Sequence, residues 1–388
     1  MNNDKNWFEL NPKKTISSLF LIFIFICILL IEMTLSITKN HTIENGQKRY
    51  IRLKELNINY QNTIIPDIEY MKTTDSLVRK PYIINVDNNG FIKPSKVHDE
   101  ADKTIVFIGG STTECLYVDE FKRFPYLVGK NLEEEFKLKI NSFNSGVSGN
   151  NSLHSIDILI NKIIPMQPDI IVLMHNINEL STLIHEGSYW NNNSNRSPLI
   201  TLEEPKISYL LLKSIKDYLI PNFYTEIKKI IHRFKHSNKQ IDEFYKSRNK
   251  ININKEKILI DYKRNLEIFI HISKLSGIQP ILMTQFNRFK EKPTSLLMKK
   301  MKTRIENKLN INYSDFIELY KKINHITIKV AQKNNIYYID LDKLIPKESK
   351  YIYDSVHLNT FGSTYTSKII SASLIKMGLF NYRPLSQK

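Results

Sequence analysis

Short apolar runs alternate with longer helical stretches from Lys103 onward, and this alternation constrains the fold more than any other feature. The predicted strands are TIVFIGG from Thr104, LKINSFN from Leu138, DIIVLMHN from Asp169, QPILMTQ from Gln279 and IYYIDL from Ile336. The predicted helices cover 124–136, 152–164, 257–275 and 314–334, and in the last two apolar residues recur at spacings of three and four. Strands that are mostly apolar and alternate with helices form a parallel sheet that is covered on both faces. Ligands of such sheets bind beyond the carboxyl ends of the strands.

A long apolar run near the N-terminus predicts a membrane anchor. It extends from Thr15 to Ile37, follows Lys13 and Lys14, and is interrupted only by Glu32. A bilayer requires about 20 apolar residues, and no small-x-small cleavage motif follows the run within a few residues. The sequence therefore predicts an N-terminal tail over 1–14 and an uncleaved, single-pass signal anchor over 15–37, with the remaining chain outside the cytoplasm.

Other interpretations of this apolar run are open. Lys39, Lys48 and Arg49 lie on the far side of the run, which weakens the argument for orientation from positive charge. The core helix of a soluble protein and a cleaved signal peptide remain alternatives.

The charge of the chain does not predict a nucleic-acid partner. The formal net charge is +17 over 388 residues, but the lysines are scattered among asparagine and isoleucine. No basic platform interleaved with aromatic residues and no zinc-ligand spacing accompanies them. Cys27 and Cys115 are far apart and give no disulfide framework, so the cysteines do not indicate whether the protein lies in an oxidising or a reducing compartment.

Polar side chains and glycines follow the predicted strands at the edge where ligands bind. Gly109, Gly110 and Ser111 end the first strand, SGVSGNNS follows the second from Ser145, and HNINEL follows the third from His175. Near the C-terminus, YDSVHLNTFG places an aspartate three residues before a histidine. Ser111 alone has two interpretations, because its hydroxyl suits either a helix N-cap or a nucleophile.

These blocks, taken in order, resemble the SGNH (GDSL-like) hydrolase family from about Lys103 to Ile370. GGSTTE resembles its nucleophile block, NSGVSGNN its glycine block, NINE its asparagine block and DSVH its catalytic pair. The resemblance implies a three-layer, flavodoxin-like α/β fold without a cofactor. The catalytic roles that it implies fall on Ser111 as nucleophile, His357 as general base and Asp354 as the partner of the histidine. The oxyanion-hole donors that it implies are Ser111, Gly149 and Asn178.

The blocks also depart from the family pattern. Gly-Gly-Ser stands where the family often has Gly-Asp-Ser, and NINE stands where it often has Gly-x-Asn-Asp. The first change removes a carboxylate outside the catalytic set. The second keeps the asparagine and an acidic neighbour, so it affects the expected geometry more than the chemistry.

The resemblance and the anchor together predict the function and the domain organisation. A lead-in over 38–100, with a turn at Asn89-Gly90, precedes a hydrolase-like domain over 101–380 that contains a basic helical insertion over about 185–254. The predicted activity is that of a serine esterase acting on O-acyl groups of envelope glycans or lipids. Acyl transfer to an envelope polymer is one alternative, and a catalytically silent envelope-binding or assembly protein is the other. Protein partners and substrate-binding residues are not identified.

Several further residues have weaker interpretations. His232 and His236 have the four-residue spacing of a zinc helix, but neither the glutamate nor a third ligand accompanies them, so no metal is predicted. The insertion is either a lid or membrane-surface helix or a solvated helical excursion. His154 and His175 are expected to pack or form hydrogen bonds and not to act as the base, because neither has an Asp-x-x-His partner. Glu114 and Glu179 are expected at the pocket rim, and for Glu179 a structural role is favoured over a direct catalytic one. Tyr189 and Trp190 are candidates for substrate contacts.

Overall fold

The structure is a computed structural model that describes residues 6–38, 48–191, 193, 195–202, 214, 253–309 and 311–380. It divides into two compact units. One comprises Met1–Arg49 and Thr201–Ile215, and the other comprises Tyr50–Ile200 and Lys216–Lys388. Most of the predicted insertion over 185–254, including His232 and His236, lies outside the described residues.

The first unit contains the apolar run as a helix. Helix α1 (Trp7–Leu10) begins with a reciprocal capping box between Asn6 and Glu9, and helix α2 (Pro12–Thr38) follows. Proline is well suited to the first helical position because its missing N–H would have no partner there. The segment Pro12–Ile31 has a mean hydropathy of 2.6 and is long and apolar enough to cross a membrane.

Strands and helices alternate along most of the remaining described chain. The strands are β1 (Lys48–Ile51), β2 (Gln61–Ile64), β3 (Tyr82–Asn85), β4 (Lys103–Gly109), β5 (Ile140–Gly146), β6 (Ile170–Met174), β7 (Leu199–Leu202), β8 (Gln279–Met283) and β9 (Tyr337–Ile339). The helices are α3 (Ile68–Met71), α4 (Ser111–Glu114), α5 (Phe124–Phe136), α6 (Ser152–Ile158), α7 (Ile177–Glu186), α8 (Lys255–Leu275), α9 (Leu296–Leu309), α10 (Tyr313–Lys333), α11 (Leu341–Leu344) and α12 (Thr360–Lys376).

Five strands of the second unit form the predicted parallel sheet. The order is β5-β4-β6-β8-β9, and each neighbouring pair runs parallel. Numbered along the chain, this order is 2-1-3-4-5, the flavodoxin-like arrangement. The predicted fold class is therefore confirmed. Strand order reverses between β4 and β6, so the crevice at their carboxyl ends is the place where such a sheet binds ligands.

Alternate residues of the strands enter two separate hydrophobic cores. Along β4, Val106 and Ile108 belong to one core, and Ile105 and Phe107 belong to the other. Helices α6, α8 and α10 supply side chains to the first core, and helices α5 and α12 supply them to the second. Burial on both faces explains why these strands are apolar throughout, and the two layers hold the sheet edge rigidly.

The lead-in from Tyr50 lies in the same compact unit as the sheet. Strands β2 and β3 pair antiparallel, and the predicted turn follows with Gly90 at φ 76°. The buried Arg123 guanidinium donates to the Ile83 carbonyl, and Ile92 bridges to Asn144 of β5. These bonds attach the lead-in to the sheet although its own sequence is polar.

Candidate active site

Ser111 lies at the carboxyl end of β4, where the chain turns into the short helix α4. Its hydroxyl is 2.7 Å from Nε2 of His357, which reaches the site from a loop 246 residues later in the chain. A serine hydroxyl becomes a good nucleophile only when a base within hydrogen-bond reach takes its proton. The geometry places that base at the serine.

Asp354 holds the opposite side of the His357 ring. Its Oδ2 is 2.6 Å from Nδ1 of His357, and its Oδ1 accepts the N–H groups of Val356 at 2.8 Å and of His357 at 2.7 Å. A carboxylate only accepts hydrogen bonds, so Nδ1 carries the proton and Nε2 accepts from Ser111. Burial alone would raise the pKa of Asp354, but the charge and hydrogen bonds of His357 and the Val356 N–H lower it. The Asp-x-x-His spacing thus fixes the useful tautomer.

The loop that carries Asp354 and His357 is anchored by residues that the sequence did not reveal. Arg288 donates to the carbonyls of Ile352 at 3.0 Å and Asp354 at 3.1 Å. The same guanidinium forms a bidentate pair with Asp75 of the lead-in, at 2.8 and 2.7 Å. The ring of Tyr353 stacks on His357 with centroids 5.7 Å apart. These contacts hold the histidine in one orientation.

Asn178 packs against the turn that precedes the serine. A Cβ placed on Gly110 would lie 2.3 Å from Nδ2 of Asn178, so a larger residue at position 110 would displace the Asn178 amide. The Asn178 amide donates to the Asn150 carbonyl at 2.7 Å, which fixes its plane. A side-chain amide carries two N–H donors, and the bond to Asn150 uses only one of them.

Gly149 lies in the loop after β5 and lines the same cavity as Ser111. Its φ of +77° falls in the left-handed region, which glycine adopts at no steric cost. Within the described part of the chain, the backbone N–H groups of Ser111 and Gly149 donate no hydrogen bond to the protein. The structure therefore brings together the three predicted donors of an oxyanion hole.

Two cavities meet at the serine. The larger, of about 420 Å³, is lined by Ser111, Gly149, Asn178 and His357 among others. The smaller, of about 230 Å³, has Leu116, Tyr117 and Leu358 in its walls. Ser111 and His357 line both cavities, so a molecule in either cavity can reach them.

The two glutamates that were candidates for the pocket rim are buried instead. Glu114 accepts the hydroxyl of Ser148, and burial raises its pKa. Glu179 is fully buried and accepts the N–H of Ser152 at 2.7 Å, its hydroxyl at 2.9 Å and the hydroxyl of Tyr189. Neither carboxyl lines the two cavities at Ser111. The contacts of Glu179 agree with the structural role that was expected for it.

The histidines near the motifs are placed as buried, neutral groups. His154 completes a capping box with Asn151 at the start of α6, and Nε2 of His175 is 2.7 Å from the Ser155 hydroxyl. Burial lowers the pKa of each ring to about 3, with repulsion from Lys54 adding to the effect at His154. Tyr189, which was expected to contact substrate, is buried, and its hydroxyl donates to Glu179. Trp190 is 53% exposed, and neither aromatic ring lines these cavities.

Replacing Glu179 by glutamine is expected to flatten the pH dependence of stability. Burial raises the pKa of Glu179 from 4.5 to about 7, so the folded protein retains a proton that the unfolded chain releases. The wild-type free energy of unfolding should fall between about pH 4.5 and 7, by up to about 1.4 kcal/mol per pH unit from this group. Urea unfolding at several pH values measures the slope. Glu69→Gln, at an exposed site, is the control, and an unchanged slope in Glu179→Gln would contradict the assignment.

Comparisons with known proteins find similar solved structures only. No family model and no curated protein matches the chain. A lipase/acylhydrolase from Enterococcus faecalis is 15% identical, with 71% of this chain and 96% of that chain covered and a TM-score of 0.39. An acetylxylan esterase from Geobacillus stearothermophilus is 14% identical (74% and 98% covered, TM-score 0.38). A putative GDSL-like lipase from Parabacteroides merdae is 13% identical (73% and 99% covered, TM-score 0.40). At these identities and TM-scores the similarities do not indicate a function. The functional proposal below rests on the geometry at Ser111.

Proposed function

We propose that this protein is a serine esterase of the SGNH type in which Ser111, His357 and Asp354 cleave an acyl ester. The observation that carries the proposal is the continuous relay from the Ser111 hydroxyl through His357 to Asp354, with distances of 2.7 and 2.6 Å. The relay opens onto two cavities at the switch point of the sheet. An ester bond at Ser111 has room for its acyl and alkoxy halves on the two sides.

Acylation begins when Ser111 attacks the ester and gives its proton to His357. Ser111 Oγ attacks the ester carbonyl carbon while its proton passes to Nε2 of His357, and the carbonyl oxygen becomes an oxyanion. The N–H groups of Ser111, Gly149 and Asn178 receive this charge. The tetrahedral intermediate then breaks its bond to the alcohol, which leaves with the proton from His357.

Deacylation repeats the sequence with water. Water attacks the acyl-serine and gives its proton to His357, and Ser111 Oγ leaves and takes that proton back. Asp354 stabilises the imidazolium in both steps because its pKa is lowered and it stays ionised. The cycle consumes one water and releases one alcohol and one carboxylic acid.

Removing the amide of Asn178 is expected to slow the enzyme without unfolding it. Loss of one oxyanion donor costs on the order of a hundred- to thousandfold in kcat. Asn178→Ala should show this loss while retaining the wild-type melting temperature within a few degrees. The matched control is Asn161→Ala, which removes an exposed amide that also donates to a carbonyl, that of Asp157 at 2.9 Å. Near-normal kcat in a folded Asn178→Ala protein would show that Asn178 is not a donor of the oxyanion hole.

We infer that the site faces the cell envelope, with O-acyl groups of envelope glycans or lipids as substrates. The apolar helix over Pro12–Ile31 supports a membrane anchor, and an uncleaved anchor with the short tail inside would place Ser111 outside the cytoplasm. Fusing a compartment-sensitive reporter to the C-terminus tests this orientation. A signal from the cytoplasm alone would reject it.

The proposed activity is tested with the full chain in detergent. Hydrolysis of 4-nitrophenyl acetate and butyrate should follow saturation kinetics and require Ser111. Product analysis in the presence of a sugar alcohol separates hydrolysis from acyl transfer, because transfer yields a new sugar ester instead of free acid. A folded wild-type protein that cleaves none of these esters would contradict the proposal and favour a silent binding protein.

A further inference from the structure

The chain just after helix α3 lies against the loop that presents the proposed base. We call this loop, residues 349–359, the catalytic loop. The backbone N–H of Asp75 donates to the Tyr353 carbonyl at 2.9 Å. The Ser76 hydroxyl donates to the Ser349 carbonyl. The lead-in is therefore bonded directly to the catalytic loop.

Arg288, which follows strand β8, holds the main chain of the same loop. Its backbone N–H donates to the Ser355 carbonyl at 2.9 Å. Its Nη1 donates to the carbonyls of Ile352 at 3.0 Å and Asp354 at 3.1 Å. Three carbonyls within four consecutive residues are thus held by one buried arginine.

Asp75 fixes the orientation of that arginine. Its two carboxylate oxygens accept from Nη1 of Arg288 at 2.8 Å and from Nη2 at 2.7 Å. A bidentate pair of this kind fixes the plane of the guanidinium and neutralises a cation that is buried. Because Nη1 donates both to Asp75 and to the two loop carbonyls, the carboxylate determines where Nη1 lies. It therefore also determines where the loop is held.

These two side chains reach the reacting atoms only through the catalytic loop. Neither Asp75 nor Arg288 lines the two cavities at Ser111. The loop, however, sets the 2.7 Å distance between Nε2 of His357 and the Ser111 hydroxyl. Proton transfer requires a heavy-atom distance of about 2.6–3.2 Å. A displacement of about 1 Å costs on the order of a hundredfold in rate, so a small shift of the loop lowers turnover without any change in the substrate contacts.

We propose that Asp75 is a positioning residue of the active site, which acts through Arg288 to keep His357 at the distance where it takes the Ser111 proton. The inference rests on the proposed esterase function and extends its machinery to the lead-in. The lead-in then contributes to turnover as well as to the fold, although it supplies neither the nucleophile nor the base.

Asp75→Asn tests the residue with a side chain of the same size. The amide removes the negative charge and places an NH₂ group against one nitrogen of Arg288, so the bidentate pair is lost. For the full chain in detergent with 4-nitrophenyl acetate, kcat and kcat/KM should both fall about tenfold to a hundredfold, because the loop moves while substrate binding is unchanged. The melting temperature should stay within a few degrees of that of the wild type.

Glu55→Gln is the matched control, because it breaks a second ion pair between the lead-in and the rest of the unit. Glu55 accepts from Lys162 at 2.8 Å, and the exposed fractions of the two side chains, 31% and 9%, are close to the 28% of Asp75 and 7% of Arg288. This pair lines neither cavity at Ser111, so Glu55→Gln should keep the wild-type kcat. Wild-type kcat in Asp75→Asn, or an equal loss in Glu55→Gln, would overturn the inference and leave the esterase proposal intact.

A double variant tests whether Asp75 acts through Arg288. Arg288→Lys keeps the charge but replaces the planar fork by a single ammonium, which cannot hold the carboxylate and both carbonyls in the same geometry. Its kcat should fall at least as far as that of Asp75→Asn, and adding Asp75→Asn should cause less than about a threefold further loss. Losses that multiply in the double variant would reject the route through Arg288.

Hydrogen–deuterium exchange gives an answer that does not depend on turnover. In the full chain, peptides that cover residues 349–359 should exchange about tenfold faster in Asp75→Asn than in the wild type, because the charge-assisted bonds that hold the loop are weakened. Glu55→Gln should leave the exchange of these peptides unchanged. Equal exchange of the loop in all three proteins would overturn the inference even if no ester is cleaved.

Discussion

Replacing Ser111 by alanine is expected to lower kcat for ester hydrolysis by about 10⁵- to 10⁶-fold. In the proposed mechanism Ser111 supplies the atom that forms the acyl bond, and its hydroxyl lies 2.7 Å from Nε2 of His357. His357→Ala should cause a similar loss because the hydroxyl then has no base. The double variant should be no worse than either single one, since the two residues act as a unit. Turnover of 4-nitrophenyl acetate measures all three.

Ser373→Ala is the control for this experiment. Its hydroxyl donates to the Ile369 carbonyl at 2.8 Å on helix α12, and it does not line the two cavities at Ser111. The control should retain wild-type kcat and melting temperature. Losses that multiply in the double variant would show that Ser111 and His357 act independently, contrary to the relay.

Asp354→Asn is expected to lower kcat by about 10⁴-fold while the fold is kept. An asparagine oxygen can still accept the N–H groups of Val356 and His357, so the loop retains its two backbone bonds. The side-chain amide, however, donates to Nδ1 of His357 and moves the ring proton to Nε2. The histidine then presents a donor to Ser111 and cannot take its proton.

Asp342→Asn provides the matched control for this loss. Its carboxylate accepts from Asn287 at 2.7 Å and from Lys347 at 2.9 Å, and it does not line the two cavities at Ser111. Both variants should melt within a few degrees of the wild type. Asp354→Asn with a kcat within tenfold of wild type would show that the carboxylate does not set the tautomer of His357.

The sheet and the spacing of the motifs were predictable because each depends on a local signal. Runs such as IIVLM are apolar on both faces, and only a strand covered by two layers of helices buries them fully. Because the strands are parallel, the residues that follow them meet at one edge. Ser111 after β4 and Asn178 after β6 therefore flank the switch point, and the order of strands places them together.

The supports of the site were not predictable, because they are contacts between distant segments. Arg288 and Asp75 are separated by 213 residues, and neither lies in a motif. Glu179 directly follows Asn178, yet on helix α7 it lies on a face that enters the core.

The most direct test of the central claim is to locate the covalent adduct of a fluorophosphonate. The full chain in detergent is treated under native conditions, digested and analysed by mass spectrometry, with folded Ser111→Ala and His357→Ala proteins in parallel. An activated serine predicts a single adduct on Ser111 that is absent from both variants. No adduct on the folded wild-type protein, or an equal adduct on another serine in Ser111→Ala, would contradict the assignment of Ser111 as the nucleophile.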